Sequence, residues 1–241
     1  MSTIAANSDA PDQMPASDDA IVARLEDRLP PLLSVIAGMV DLTGFFTLGN
    51  IFTAHITGNL VVIAAAAVRG GPLNPIQALA IPVFILAVAA MWLFAQSSSQ
   101  RGRGLARRLL VIQAVLLAGL LLFSIITKPS ANPHGLMAGI AVMIAVSAMA
   151  CQYALFRVAL PGAISTAVMT GNLTNTVLSL MDMLSPNRPL MDADAARLKK
   201  SLLLLFGFLA GCVVAAIATS VLRDWAWSLP VALATLAVAL L

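Results

Sequence analysis

The chain has little charge, few aromatics and almost no cysteine. Asp, Glu, Lys and Arg make up 10% of its 241 residues, against 60% hydrophobic residues and a mean hydropathy of +0.94. Soluble domains carry about 25% charge, so water is not the solvent for most of this surface. Aromatics are 5%. The apolar stretches are continuous and do not alternate, which excludes a transmembrane barrel built from strands of about ten residues. Two cysteines, Cys151 and Cys212, lie in separate apolar segments. They match no metal-ligand spacing and read as small packing residues. With two histidines, His55 and His134, there is no material for a metal site or a nucleophile–base pair. An enzyme is therefore not expected, and no cofactor is implied. The net charge of +3 does not point to nucleic acid, because the basic residues flank apolar segments, as they do in membrane proteins.

What is present is a set of long apolar runs. Hydrocarbon favours helices, which satisfy every backbone group within one segment. The expected fold is all-α, a polytopic helical membrane protein with one membrane domain over residues 20–241. Residues 1–19, rich in Ser, Ala, Pro and Asp, read as a disordered cytoplasmic tail and not as a signal peptide. Residues 18–29 look like a short amphipathic helix on the membrane surface, capped by Asp18 or Asp19, with Ile21, Leu25 and Leu29 at i+4 spacing.

The run 31–68 holds only Asp41 and His55 as ionisable groups. It is too long for one straight crossing of about 20 residues, and Gly44, Gly49 and Gly58 can break it. Further apolar stretches cover 72–96, 109–127, 135–156, 158–181, 201–222 and 225–241. His55-Ile-Thr-Gly-Asn-Leu recurs as Val168-Met-Thr-Gly-Asn-Leu, with the Thr-Gly-Asn-Leu tetrapeptides 113 residues apart. Two repeats follow, about 30–127 and 134–241. Paired interrupted segments in two halves point to a transporter's central site.

Charge then selects a topology. If every stretch crosses, the basic linkers 97–108 and 182–200 fall on opposite faces, against the positive-inside rule. If each motif region makes one net crossing through a broken or re-entrant helix, there are six crossings with both termini cytoplasmic. Arg24, Arg28, Arg101, Arg103, Arg107, Arg108, Arg188, Arg197, Lys199 and Lys200 then lie inside, and Arg69, Lys128 and Arg223 outside. Each half has three crossings, so the repeats are inverted relative to each other.

Gly38-x-x-Asp41, then Phe52-x-Ala54-His55-x-Thr57-Gly58-Asn59, then a second Thr170-Gly171-Asn172, resembles the YoaK family of bacterial membrane proteins (domain of unknown function 1275). The resemblance spans about residues 30–240, and Ile56 stands where the family often has Met. It implies six transmembrane segments in a bacterial cytoplasmic membrane. It implies a permease by architecture only, with no agreed substrate and no catalytic residues.

Among the residues themselves, Asp41 is the most informative. A carboxylate in an apolar segment costs about 3 kcal/mol or more unless paired or protonated. It reads as a proton or cation site or a substrate contact; the alternative is an acid holding two helices together. His55 titrates near physiological pH and can relay protons with Asp41, or be a buried neutral imidazole. Thr57, Gly58, Asn59, Thr170, Gly171 and Asn172 can open half-helices whose N-termini attract polar solutes. Asn172, Asn175, Thr176 and Ser179 form a polar stripe that suits a hydrated cavity; interhelical hydrogen bonding is the plainer reading. Arg157 either pairs with Asp41 or snorkels to the interface. Gly207-x-x-x-Gly211 is a packing face, internal or at a homodimer contact. Trp92, Trp225 and Trp227 read as interface anchors. The expected function is a secondary transporter or permease for a small polar solute, coupled to a proton or sodium ion at Asp41, with Asn59 and Asn172 contacting the solute. A channel with paired Asn half-helix motifs is the alternative from a second class, and a structural membrane protein the third.

Overall fold

A computed structural model describes residues 16–70, 74–184 and 192–241. Eight helices follow in order: α1 Ala16–Thr47, α2 Ile56–Val68, α3 Pro75–Ser97, α4 Gly102–Thr127, α5 Leu136–Val158, α6 Met169–Leu184, α7 Asp192–Leu222 and α8 Ser228–Ala239. A short 3₁₀ turn precedes α5 and another joins α7 to α8. The described residues contain no strand. Five stretches are long and apolar enough to span a bilayer: 20–47, α3, α4, α5 and the α7–α8 run 195–239. The described part of the fold is all-α, as the composition requires.

The exterior is apolar like the core, and the core also holds fully buried polar groups. Ser34, Gln113, Gln152 and Asn59 are fully buried, while Ile85, Leu86 and Leu93 on α3 and Ile217 and Val221 on α7 are exposed. Helix α6 does the same locally, burying Asn172, Thr176 and Ser179 and exposing Leu173, Val177 and Leu180. An apolar exterior around polar interior contacts is stable in lipid and not in water.

The helix directions follow from cross-chain contacts. Lys200 pairs with Asp27 at 2.6 Å, Ser34 donates to the Leu204 carbonyl at 2.6 Å, and Cys212 reaches the Gly38 carbonyl. Helices α1 and α7 therefore run parallel. Gly49 packs against Pro133 and His134 just before α5, and Gly162 just after α5 donates to Glu26 near the start of α1. Helices α1 and α5 therefore run antiparallel. Phe84 of α3 meets Tyr153 of α5, and Ile76 meets Gly139, so α3 and α5 are parallel in turn. The partner scheme is paired: α1 on α7 and α5 on α3, α4 on α5 and α8 on α1, α2 on α3 and α6 on α7.

Three sequence expectations change, and one left open is decided. The surface helix 18–29 is not separate: α1 is continuous from Ala16 through Pro30 and Pro31 to Thr47. Proline costs the helix interior an N–H and crowds the preceding turn. Here the strain falls where Lys200 and Gly207 of α7 brace α1 against Asp27 and Pro31. Asp18 and Asp19 lie within the helix, so neither stands at its described start. Of the expected disordered tail, residues 1–15 lie outside the described residues and Ala16–Asp19 are helical. Trp227 is not an interface anchor but fully buried, whereas Trp92 and Trp225 are more than half exposed. Finally, Gly207 and Gly211 face Pro31, Val35 and Met39 of α1, so this packing face is internal and not a dimer contact.

Candidate functional site

After α1 ends, residues 48–55 fold back along it. The Thr53 hydroxyl donates to the Val40 carbonyl at 3.1 Å, and Gly44 leaves room for the Thr53 side chain. Helix α2 starts at this depth and returns toward the end where α3 begins, beside Asn50. The 13 residues of α2 span about 20 Å at 1.5 Å per residue. It is a half-helix, and its start lies inside the protein.

Asp41 closes that start. Its Oδ1 accepts the backbone N–H groups of Thr53 and Ala54 at 2.8 Å each and, more distantly, of His55 at 3.4 Å. Its Oδ2 lies 2.8 Å from His55 Nδ1. His55 occupies the N-cap position of α2 but its side chain does not cap it. Asp41 instead binds the N–H groups of the turn that leads into α2, near the positive end of the α2 dipole. Asp41 is nearly buried while His55 is 28% exposed at its side chain. The imidazole edge stacks on Phe208 of α7, with ring centroids 4.9 Å apart. The Tyr153 hydroxyl donates to the Ala54 carbonyl at 3.0 Å, tying α5 to the same turn. Asp41 is paired with His55 and not with Arg157, which is exposed in the last turn of α5.

The second motif is held in the corresponding way by a different side chain. Residues 159–168 fold back from the end of α5. Gln152 donates to Thr166 Oγ1 at 3.0 Å and to the Leu33 carbonyl at 2.9 Å, and accepts from Gln113 of α4 at 2.7 Å. Helix α6 starts there. The two turns match residue by residue. Asn59 brackets Phe52, accepting its N–H at 3.0 Å and donating to its carbonyl at 2.7 Å, and Asn172 donates to the Ser165 carbonyl at 3.0 Å. Each asparagine thus ties down the residue seven before it.

Asn59 and Asn172 are buried and bonded to their own turns, which makes them positioning residues in this conformation. Thr57 and Thr170 are exposed on the first turns of α2 and α6. Gly58 is where the Phe52 ring packs, and Gly171 lies against Val168. Asn175 is exposed, so the polar stripe on α6 narrows to Asn172, Thr176 and Ser179. The turns reach α1 at two depths, Asp41 and Leu33, about 12 Å apart along the helix. They are bridged by the adjacent Gln152 and Tyr153 of α5.

Gln113, Gln152 and Tyr153 are absent from the expected site. Each was visible in principle: two glutamines inside apolar runs, and the chain's single tyrosine. The repeat is also longer than the tetrapeptide, because Thr53-Ala54 recurs as Thr166-Ala167 with the same offset. That extension marks the turns themselves, where both threonines are fully buried.

Apolar spans around two inward half-helices and a buried acid–imidazole pair define a polytopic membrane protein of the all-α class. The chain belongs to the family described as protein of unknown function (DUF1275), whose model matches residues 29–241. It is also similar to the UPF0700 transmembrane protein YoaK of Bacillus subtilis (strain 168), 43% identical over 44 residues. That match covers 18% of this chain and 20% of the relative. No solved structure matches.

Proposed function

We propose that the protein is a secondary transporter for a small polar solute, driven by protons through Asp41 and His55. The observation that carries this reading is the 2.8 Å contact between Asp41 Oδ2 and His55 Nδ1 at the broken start of α2. A proton on either atom would complete this contact, and in this reading it passes between them. The imidazole is partly exposed at its side chain and the carboxylate is not, so His55 is the side through which a proton exchanges. Sodium is disfavoured. The N–H donors around Oδ1 present positive hydrogens where a sodium ion would need oxygen ligands.

The antiparallel α1 and α5, each followed by an inward half-helix, support inverted repeats hinged on α5. Rocking of such repeats is the usual basis of alternating access. In this reading the asparagines hold the two turns rigid, and the solute meets the half-helix starts when the repeats part. The channel reading draws on the same half-helices. It needs no titrating pair, and Asp41–His55 favours the transporter.

The experiment uses purified protein in liposomes that enclose a pH-sensitive dye. Pools of small polar solutes are added, and solute-dependent proton movement is expected for at least one pool. Solute flux with no proton movement at any imposed pH gradient would replace this reading with the channel.

The side of the membrane is tested separately. Arg101, Arg103, Arg157, Lys199 and Lys200 gather at the end where α4 and α7 begin, and Lys128 and Arg223 lie at the other. The basic end is assigned to the cytoplasm. Single cysteines at Ser99 and Ala196, in a background lacking Cys151 and Cys212, should both resist an impermeant thiol reagent in right-side-out vesicles. Both should react in inverted vesicles. Labelling of only one from the outside would reject the six-crossing arrangement.

A further inference from the structure

We propose that the cleft between the end of α3 and the start of α4 is a binding site for an acidic phospholipid. The cleft has a volume of about 800 Å3 and is lined by Phe94, Arg103, Arg107, Arg108, Val111 and Ile112, with Leu241 closing one side. That volume is in the range of small-molecule sites. This inference is independent of the transport reading.

The order of residues along α4 identifies the ligand. Arg103, Arg107 and Arg108 lie in the first two turns, and Val111 and Ile112 one turn further along. Phe94 stands one turn before the end of α3 and adds an aromatic wall. The rim is cationic and the floor apolar. A phosphodiester headgroup with an attached acyl chain has the same two parts in the same order. A soluble polyanion would have no use for Phe94 and Val111, and a neutral lipid none for three guanidinium groups.

The guanidinium groups are held in place without being used up. Arg103 donates from Nε and one Nη to the terminal oxygen of Leu241, and Arg108 donates from one nitrogen to Ser98 Oγ at 3.3 Å. Arg107 is exposed and makes no hydrogen bond or ion pair among the described residues. Each guanidinium has five N–H donors in a planar fork that matches phosphate oxygens, so most donors remain available. No acidic side chain lines the cleft; the terminal oxygen of Leu241 is held by Arg103, which leaves Arg107 and Arg108 without an anionic partner. Basic pockets between membrane helices on the cytoplasmic side recognise anionic headgroups by this chemistry.

The test compares the purified full chain with Arg107→Gln/Arg108→Gln, and with Arg69→Gln as a control at the other end. Each is incubated in detergent with phosphatidylglycerol or phosphatidylcholine, and retained lipid is counted by native mass spectrometry. The parent and the control should retain several-fold more phosphatidylglycerol, and the double variant should show no preference. Val111→Trp, which narrows the apolar floor and keeps every arginine, should also lower retention. Millimolar inorganic phosphate should displace little of the lipid. Equal retention of the two lipids by the parent, or unchanged preference in the double variant, overturns the proposal. Full displacement by phosphate, or Val111→Trp binding as the parent does, would mean a phosphate site with no lipid chain and overturns it too. If the double variant does not fold, Arg107→Gln alone carries the same comparison.

Discussion

Asp41→Asn is expected to leave the protein folded and to abolish accumulation driven by a pH gradient. The asparagine keeps a carbonyl oxygen where Oδ1 now receives the N–H groups of Thr53 and Ala54. The turn before α2 therefore stays anchored. What is lost is the carboxylate oxygen 2.8 Å from His55 Nδ1, and with it the proposed proton carrier, because an amide does not titrate. For one proton per solute, a gradient of about one pH unit sustains roughly tenfold accumulation, since 1.4 kcal/mol is a factor of ten. The variant should equilibrate its solute at about the outside concentration, while exchange of labelled for unlabelled solute continues. Accumulation equal to the parent's, in a variant of equal thermal stability, would remove Asp41 from the coupling step.

Asp41→Ala separates coupling from structure. Alanine strands the N–H groups of Thr53 and Ala54, and an unsatisfied buried donor costs about 1–3 kcal/mol each. His55 loses its partner as well, and the turn keeps only the Thr53 hydroxyl bond to the Val40 carbonyl as its hydrogen bond to α1. The alanine variant should therefore unfold at a distinctly lower temperature than the asparagine variant. Equal melting of the two would mean that the carboxylate does not hold the α2 start.

How much of this was legible beforehand depends on the kind of interaction. Apolar length and the scarcity of charge led to the all-α membrane fold, because burial in lipid depends on composition more than on detail. The duplicated Thr-Gly-Asn led to two half-helices, since a glycine-containing motif inside an apolar run interrupts it. Asp41 stood out through its isolation. Its partner did not follow from spacing: Arg157 was as good a candidate as His55 until the return of residues 48–55 along α1 was known. Gln152 escaped notice for a related reason. Its three hydrogen bonds reach α1, α4 and the second turn, and no local pattern announces contacts across 119 or 39 residues. The surface helix 18–29, expected to stand apart from the run that begins at residue 31, is continuous with it because packing on α7 overrides local propensity.

That packing makes the second large prediction. Gly38 and Gly211 stand at a reciprocal crossing of α1 and α7. A Cβ on Gly38 would overlap the Phe208 carbonyl oxygen, and one on Gly211 would overlap the Val35 carbonyl oxygen. Gly207 is also tight but less so, 3.0 Å from the Pro31 carbonyl oxygen at the Cβ position, where a shift of a few tenths of an ångström would suffice. In each case the obstacle is backbone, so no rotamer change relieves it, and the helices must move apart. Close approach of small residues is a principal source of helix association in lipid, where no hydrophobic gain separates protein from solvent. Moving α7 away from α1 also withdraws Phe208 from His55 and Leu204 from Ser34, so the damage spreads into the site. Overpacking typically costs about 1–3 kcal/mol, and more where the backbone blocks relaxation. Gly211→Ala and Gly38→Ala should each lower the melting temperature in detergent clearly, and Gly211→Leu should prevent accumulation of folded protein. Gly119→Ala in α4 is the control, because its Cβ would meet nothing within 4 Å. A Gly211→Leu protein that folds and melts like the parent would mean that α1 and α7 do not cross at these glycines.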